Sequence, residues 1–355
     1  MSETLPVRTR DYSLVGIDGA RAVESGLASA QWYSCLVPRK QMKALMQRRD
    51  GPAIRDTALW FACLSLSGSL GVYFWGRWPA AVAFLCYGVL YGSASDSRWH
   101  ECGHGTAFRT RWMNDVVYNI ACVMILREPT VWRWSHARHH TDTIIVGRDP
   151  EIAVKRPPDL LGILLNMFQL KSGPAALYGI ALHAIGRLTD EERSFVPKME
   201  QHKVFRIARI HVGIFVMMIA SCIALRSIIP AMLLGLPSFY GAWLMVVFGT
   251  TQHAALAEDT LDHRLNSRTV MMNPVFRFLY WNMNYHVEHH MFPMVPYHAL
   301  PALHEAIKAD CPAPYPSLIA AYREIIPGLL RQARDPEWHV VRTLPAGALP
   351  EAVSA

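Results

Sequence analysis

Four long apolar stretches constrain this chain more than any other feature of its sequence. They cover 57–75, 79–95, 207–229 and 232–250, and each approaches the roughly 20 residues that a helix needs to cross a bilayer. Only "GRW" separates the first two stretches and only "PA" the last two, so each pair predicts a tight helical hairpin. The sequence therefore predicts an all-α membrane protein with two transmembrane hairpins, that is, four spans.

The composition and the charge distribution agree with a membrane protein. The chain is 52% hydrophobic and 18% charged, whereas soluble domains average about 25% charged residues. The net charge of +7 is not gathered in one basic tract, so nucleic acid is not an expected partner. Basic residues are frequent in 1–56 and sparse in the hairpin turns, which by the positive-inside rule places both termini and 96–206 in the cytoplasm. The expected location is the inner (cell) membrane, with the lipid bilayer as a partner.

The predicted spans divide the chain into six regions. Residues 160–186 are apolar, but "KSGP" splits them into halves that are too short to cross, and we expect them in the membrane interface or packed on the membrane domain. Residues 38–50 suit an interfacial helix or an ordinary surface helix. The regions are a cytosolic N-terminal part (1–56), the first hairpin (57–95), a cytosolic cap (96–206), the second hairpin (207–250), the rest of the cap (251–334) and a tail (335–355).

The seven cysteines are scattered along the chain and form no C-x-x-C pair. This spacing argues against iron–sulfur clusters and zinc knuckles. It also gives no indication of a disulfide framework.

Residues 98–108, "RWHECGHGTAF", contain a literal H-E-x-x-H formed by His100, Glu101 and His104. On a helix this pattern is typical of zinc proteases, in which the two histidines bind the metal and the glutamate is the base. Because so short a motif also occurs by chance, the rest of the chain has to decide its meaning.

Half of the 16 histidines lie in three short clusters that recur at helical spacing. Residues at i, i+3 and i+4 share one face of a helix, so each cluster directs its rings into a common volume. Each hairpin returns the chain to the side from which it left, which predicts all three clusters on the cytoplasmic side. His253, at the end of the fourth predicted span, is a ninth candidate ligand or a helix-end histidine. The three clusters are His100 and His104; His136, His139 and His140; and His286, His289 and His290.

These histidines are too many for one zinc ion, because a catalytic zinc takes three protein ligands. They predict two metal ions instead. Imidazole binds zinc, copper, iron and nickel alike, so the ligand type does not identify the metal. The protease interpretation is therefore disfavoured. Glu101 becomes a candidate for orienting a metal-bound imidazole, together with Asp142 and Glu288.

At this point the chain resembles a known family. "HECGHGTAF", "HARHHTD" with the following "GRDPEI", and "NYHVEHHMFPMVPYHALPALH" closely resemble sequences of the membrane fatty-acid desaturase superfamily, whose relatives include alkane and lipid hydroxylases. The resemblance covers roughly residues 50–310. It implies a mushroom-like helical membrane domain with a cytosolic cap, and a non-haem di-iron centre that activates O2. The iron ligands that it implies are His100, His104, His136, His139, His140, His286, His289 and His290, with His253 matching the family's additional histidine.

The resemblance implies oxidation of a fatty acid or fatty acyl chain, with desaturation as the favoured outcome. Hydroxylation, or oxidative decarboxylation of a free fatty acid to a terminal alkene, is the alternative. The sequence has no G-x-G-x-x-G and no cysteine cluster, so the electrons are expected to come from outside the chain. The resemblance implies a separate electron donor of ferredoxin or rubredoxin type. A zinc membrane protease and a non-catalytic metal-handling protein are the alternatives from other classes.

Overall fold

The computed structural model describes residues 9–346, and its regular structure is helical. Within this range there is no β-strand, only two isolated β-bridges that join Thr269 to Tyr285 and Val270 to Tyr315. The all-α prediction is confirmed for the described residues. The α-helices are, in chain order, α1 (Ile17–Glu24), α2 (Arg39–Leu45), α3 (Asp50–Tyr73), α4 (Trp78–Gly88), α5 (Ala94–Gly103), α6 (Arg111–Met124), α7 (Pro129–Thr141), α8 (Leu160–Asn166), α9 (Ser172–Ala184), α10 (Asp190–Phe195), α11 (Gln201–Ala224), α12 (Ile229–Leu233), α13 (Pro237–Tyr240), α14 (Trp243–His253), α15 (His263–Asn266), α16 (Pro274–Leu279), α17 (His286–Met291), α18 (Leu300–Ile307) and α19 (Leu318–Gln332).

The first predicted hairpin consists of α3 and α4. The turn between them contains Gly76, whose φ of +81° is in the left-handed region that glycine adopts without strain. Helix α4 continues through a π-helical turn, Val89–Ser93, directly into α5, which carries the first histidine cluster. The buried Trp60 of α3 donates from Nε1 to the carbonyl of Leu90 at 2.8 Å and so fixes α3 to the π-turn.

The second predicted hairpin differs from the expectation. Helix α11 is a single helix of 24 residues, but the stretch 232–250 is divided among α12, α13 and α14. Pro230 and Pro237 lie in the first turns of α12 and α13, and Gly235 between them has a φ of +94°. A proline inside a helix removes a hydrogen bond and clashes with the preceding turn, so the helix ends and restarts at each one. The prediction of one continuous helix here is wrong.

The broken segment packs closely against the run formed by α4, the π-turn and α5. A Cβ on Gly241 would lie 1.9 Å from the carbonyl oxygen of Gly88, so this approach of two backbones requires glycine. Ser93 Oγ donates to the Gly241 carbonyl at 2.5 Å and accepts from the Met245 amide at 2.9 Å. These contacts hold the start of α14, and hence the histidine at its end, against the helix that carries the first cluster.

Among residues 9–346, one helical stretch is long and apolar enough to cross a membrane. It is Lys198–Ala224, with a mean hydropathy of 2.0 and 11% of its apolar window buried. Helix α14 has eleven residues and rises about 16 Å, roughly half of the hydrocarbon thickness. Helix length therefore does not establish the four predicted spans.

The segment 160–186 forms the two short helices α8 and α9 rather than one long helix. Several of its apolar side chains face outward, with Leu161 65%, Leu164 64% and Tyr178 70% exposed, whereas Ile180 is buried. Its predicted place in the membrane interface stays a prediction.

Residues 9–38, here called the N-terminal strap, lie across the cap. Arg10 Nε donates to Glu258 at 2.8 Å, and the amide of Tyr33 donates to the carbonyl of Leu261 at 2.9 Å. The strap thus joins the region that follows α14. Residues 1–8 of the predicted N-terminal region and 347–355 of the predicted tail lie outside the described residues.

Candidate metal centre

The nine candidate histidines come from four helices that meet inside the cap. His100 lies on α5, and His104 is the residue at which that helix ends. The second cluster lies on α7, the third on α17, and His253 is the last residue of α14. The structure brings all nine rings together in two neighbouring groups.

The first histidine group contains five rings whose ligating nitrogens all lie within 4.8 Å of one another. The Nε2 atoms of His100 and His289 are 2.7 Å apart. His136 Nε2 lies 3.1 Å from that of His100 and 3.0 Å from that of His104. His140 Nε2 lies 3.2 Å from the Nε2 atoms of both His136 and His289. The group thus combines all three predicted clusters.

The second histidine group contains His139, His253, His286 and His290. The ligating nitrogens of His139, His253 and His290 lie within 4.8 Å of one another. His286 joins them, because its Nε2 is 3.0 Å from the Nε2 atoms of both His253 and His290. The two groups adjoin where the rings of His140 and His290 stack, with centroids 4.5 Å apart.

The spacing H-x-x-H-H explains why there are two groups. On α7, His136 and His140 are one turn apart and turn toward the first group, while His139 turns toward the second. Helix α17 is used in the same way, with His289 in the first group and its neighbour His290 in the second. Each of these helices therefore serves both groups at once.

Burial keeps most of these rings uncharged. Loss of water lowers the pKa of seven of them well below the usual range of histidine, and the neighbouring rings add to this effect. A neutral imidazole keeps one nitrogen lone pair free, which is the form that binds metals. The seven are His100, His104, His140, His253, His286, His289 and His290.

The donor set fits metal ions. Five Nε2 atoms converge in the first group, which is more than hydrogen bonds between neutral rings can pair in one place. A cation held by their lone pairs would account for the convergence. All of the converging atoms are imidazole nitrogens, a ligand type that serves iron, zinc and copper.

Two carboxylates from the loop after α7 bond to Nδ1 of candidate ligand histidines, the ring nitrogen that does not face the group. Glu151 accepts from His136 Nδ1 at 2.9 Å, and Asp149 accepts from His139 Nδ1 at 2.8 Å. Burial acts to lower the pKa of His139, but the charge and hydrogen bond of Asp149 outweigh it and raise that pKa. Burial likewise acts to raise the pKa of Glu151, but His136 outweighs it and lowers the pKa to about 2. Such partners fix the tautomer and the direction of a ligating ring.

The three carboxylates that the sequence suggested for this role lie elsewhere. Within residues 9–346, none of them bonds to a histidine of the two groups. Glu101 accepts from Thr106 Oγ1 at 2.6 Å and from the Tyr297 amide at 3.1 Å. It misses the histidines because consecutive residues on a helix point about 100° apart.

Asp142 and Glu288 are also engaged away from the nine histidines. Asp142 ends α7 and accepts from Arg148 Nε at 3.1 Å. Glu288 accepts from Thr269 Oγ1 at 2.5 Å and is hydrogen-bonded to His304 Nδ1. The expectation that Glu101, Asp142 and Glu288 orient the candidate ligand rings is therefore wrong. Asp149 and Glu151 bond to these rings instead, and both lie in the "GRDPEI" stretch that follows the second cluster.

One further histidine lies at the edge of the second group. His263 is buried, its ring centroid is 5.1 Å from that of His290, and it stacks on Trp32 of the N-terminal strap at 4.3 Å. No other histidine stands at helical spacing from His263 in the sequence, so the sequence does not predict its place beside the site.

Comparison with known proteins agrees with this arrangement. A family model described as fatty acid desaturase matches residues 75–322, which include the whole of both histidine groups. The chain belongs to the fatty acid desaturase family.

The family's curated members include plant proteins to which this chain is similar. The acyl-lipid (9+3)-(E)-desaturase of Dimorphotheca sinuata is 27% identical over 262 residues, which are 64% of this chain and 67% of the relative. The fatty acid conjugase FAC2 B of Calendula officinalis is 28% identical over 263 residues, 65% of this chain and 68% of the relative. An omega-6 fatty acid desaturase of Glycine max is 35% identical over 79 residues, 21% of this chain and 20% of the relative.

In this member of the desaturase family, a cavity of about 360 Å³ reaches both histidine groups. His100 and His136 of the first group and His139 and His253 of the second line its wall. Met245, Val246 and Gly249 of α14 contribute an apolar part of the wall. The cavity is therefore placed to hold a substrate beside the candidate metal centre.

Proposed function

We propose that this chain is a membrane non-haem di-iron oxidoreductase that uses O2 and external electrons to insert a double bond into a fatty acid or fatty acyl chain. The observation that carries the proposal is the convergence of nine histidines in two adjoining groups beside one cavity. A single catalytic zinc needs three protein ligands, whereas nine suit two ions. Membership of the fatty acid desaturase family supports the fatty acyl substrate.

Two bound irons would supply the activation of O2 and the oxidation of an unactivated C–H bond. The protein's own contribution is to hold the ligand rings neutral and correctly turned. Asp149 and Glu151 accept from Nδ1 of His139 and His136, which leaves Nε2 of each ring to face its group. The buried walls of the cavity would exclude water from the reacting carbon.

We propose further that the site faces the cytoplasm from the inner (cell) membrane. Outward-facing apolar side chains on α3 and α11 support contact with lipid, among them Leu66 at 62%, Met217 at 70% and Ile223 at 72% exposure. The electrons are proposed to come from a separate donor of ferredoxin or rubredoxin type.

Product analysis tests the reaction. Cells that express the chain would be given a perdeuterated saturated fatty acid, and their total acyl chains would be analysed by gas chromatography and mass spectrometry. We expect an internal alkene of unchanged carbon number that has lost a pair of deuterium atoms. Cells that express His104→Ala are the control and are expected to give none.

Two other outcomes are informative about the same centre. Recovery of only an alcohol would contradict desaturation in favour of hydroxylation. Recovery of only a terminal alkene one carbon shorter would point to oxidative decarboxylation of the free acid.

Replacement of Glu101 separates this proposal from a zinc protease. Glu101→Gln is expected to lower product formation by less than about 10-fold, the lower bound for losing a direct partner of a metal-bound histidine. The reason is that Glu101 bonds to Thr106 and Tyr297 and not to a ligand ring, and glutamine keeps an accepting oxygen. Product formation by His104→Ala, measured in parallel, should be lost. Equal loss in both variants, with metal retained in Glu101→Gln, would favour the protease role in which glutamate is the base.

Filling the cavity tests whether it holds the substrate. Gly249 of α14 lines the cavity, and a Cβ there meets no atom within 4 Å. Gly249→Phe is expected to lower product formation from long acyl chains on the order of 100-fold, because the ring displaces the chain from its reactive position. Gly213→Phe is a matched control: its helical position on α11 also has nothing within 4 Å and lies outside the cavity. Equal activity of the two variants would remove the cavity from the proposal.

A further inference from the structure

Two cysteines far apart in the sequence meet at the base of the N-terminal strap. Cys35 lies in the part of the strap without helical structure, and Cys311 follows α18. Their Sγ atoms are 3.8 Å apart although 276 residues separate them, and both side chains are buried, at 5% and 4% exposure. Within residues 9–346, which hold all seven cysteines, this is the only contact between two cysteine sulfurs.

The surrounding contacts hold the two backbones in place. The hydroxyl of Tyr33 is hydrogen-bonded to the carboxylate of Asp310. Tyr33 lies two residues before Cys35, and Asp310 directly precedes Cys311, so this bond joins the two segments that carry the cysteines. Arg264 stands over the Tyr33 ring, 3.4 Å from its centroid. The amide of Cys35 donates to Met291 Sδ at 3.1 Å, next to the last histidine of the third cluster. The encounter of the two sulfurs is therefore part of a packed arrangement.

A small oxidant has a route to this pair. A surface groove of about 620 Å³ reaches Cys35 and is otherwise lined mainly by apolar side chains of the strap and α2, together with Phe292. None of these groups ligates the candidate metal centre, so the groove is separate from the cavity that reaches the histidines.

We propose that Cys35 and Cys311 form an oxidation site at which a peroxide converts the two thiols into a disulfide. Peroxide is the product when O2 takes up only two electrons and two protons. In the first step one sulfur attacks the peroxide, the O–O bond breaks, and a sulfenic acid and one water form. In the second step the other thiol attacks that sulfur, the S–S bond forms and a second water leaves. The two thiols together lose two electrons and two protons, which the peroxide takes up as it is reduced to two waters.

The geometry allows this reaction with a small movement. The sulfurs must approach from 3.8 Å to the disulfide length of about 2.05 Å. Because the two side chains are already in contact, this approach is made by rotation of the cysteine side chains while the surrounding contacts hold the backbones. The S–H···S contact with Cys311, together with burial, raises the pKa of Cys35, so this thiol reacts with peroxide more slowly than an exposed thiolate.

The disulfide would attach the N-terminal strap to the end of α18. Trp32 of the strap stacks on His263, whose ring lies 5.1 Å from that of His290, and the amide of Cys35 donates to Met291, the residue after His290, so the strap has two contacts next to the second histidine group. Closing a loop of this length restricts the unfolded chain strongly, which raises the thermal midpoint of unfolding. Peroxide would thus add a covalent link to the noncovalent contacts that hold the strap on the cap.

The test uses the full chain, purified in detergent, fully reduced and then freed of reductant. After treatment with excess hydrogen peroxide, the remaining thiols are alkylated and the peptides are mapped by mass spectrometry. We expect a linked pair of peptides that contain Cys35 and Cys311, absent before treatment and released by dithiothreitol. The oxidised protein should also unfold at a higher temperature than the reduced protein.

Two variants test whether the link and the thermal shift depend on this pair of cysteines. Cys35→Ser should abolish both the linked peptides and the thermal shift, whereas Cys86→Ser, which changes an exposed cysteine outside the pair, should keep both. Recovery of Cys35 and Cys311 as alkylated thiols, oxidation of either to a sulfinic acid without a link, or a link to another cysteine would each overturn the proposal. The peptide map of the unsubstituted chain decides the matter even where a variant fails to fold.

Discussion

Replacing His289 by alanine is expected to abolish product formation and to lower bound iron from about two ions per chain to one or fewer. His289 is fully buried, and its Nε2 lies 2.7 Å from that of His100 and 3.2 Å from that of His140, so it stands at the centre of the first histidine group. Alanine removes a ligand that no neighbouring side chain can replace. Elemental analysis of protein purified after iron-replete growth, together with product analysis, measures both effects.

A suitable control is His298→Ala. His298 is half-buried and belongs to neither histidine group, so iron content and activity should stay near those of the unsubstituted chain. About one zinc and negligible iron in the unsubstituted protein would contradict the di-iron proposal outright. Unchanged iron in His289→Ala would remove this residue from the ligand set.

Asp149→Ala is expected to weaken iron binding about 10- to 100-fold and to reduce product formation accordingly. Asp149 accepts from His139 Nδ1 at 2.8 Å and from the Ile144 amide at 2.7 Å, so it fixes both the ring and the loop behind it. Without this carboxylate, His139 can turn away from the second histidine group. Titration with an iron chelator, followed by the loss of iron from each variant, measures the change in affinity.

Asp142→Ala is the matched control for this experiment. Asp142 lies on the same loop, but its carboxylate pairs with Arg148 at 3.1 Å and not with a histidine of the two groups. Iron affinity should therefore change little in Asp142→Ala. If both variants lost iron equally, the effect would come from the loop as a whole rather than from support of His139.

The histidine spacings let the sequence predict much of this site. Neighbours at i and i+4 on a helix converge, and this local rule placed His136 beside His140 and His286 beside His290 without knowledge of the fold. The expectation that each cluster shares one volume was wrong for His139 and His289, which turn toward the other group. The second step, the meeting of the three clusters, followed from hairpins that return the chain to one side. His253 could be proposed for the same reason, since α14 ends beside the third cluster.

The supporting residues could not be predicted in the same way. Asp149 reaches His139 because the loop after α7 turns back on that helix, and no periodicity encodes such a return. The sequence favoured Glu101 as a partner of a ligand ring because it directly follows His100. Consecutive residues on a helix point in different directions, however, so Glu101 does not face the histidines. The break of the helix in 232–250 could have been predicted from Gly235 and Pro237, which interrupt helices. It was missed because hydropathy alone treats this apolar stretch as continuous.

Helices α7 and α17 each contribute rings to both histidine groups, and this sharing would link the loading of the two proposed metal positions. An ion bound in the first group would restrict the rotation of both helices and so pre-orient His139 and His290 for the second. The second ion then binds to rings whose conformational entropy has already been reduced, which is positive cooperativity without a change of shape. Partially loaded preparations should consequently contain mainly empty and fully loaded chains, with few that hold a single ion.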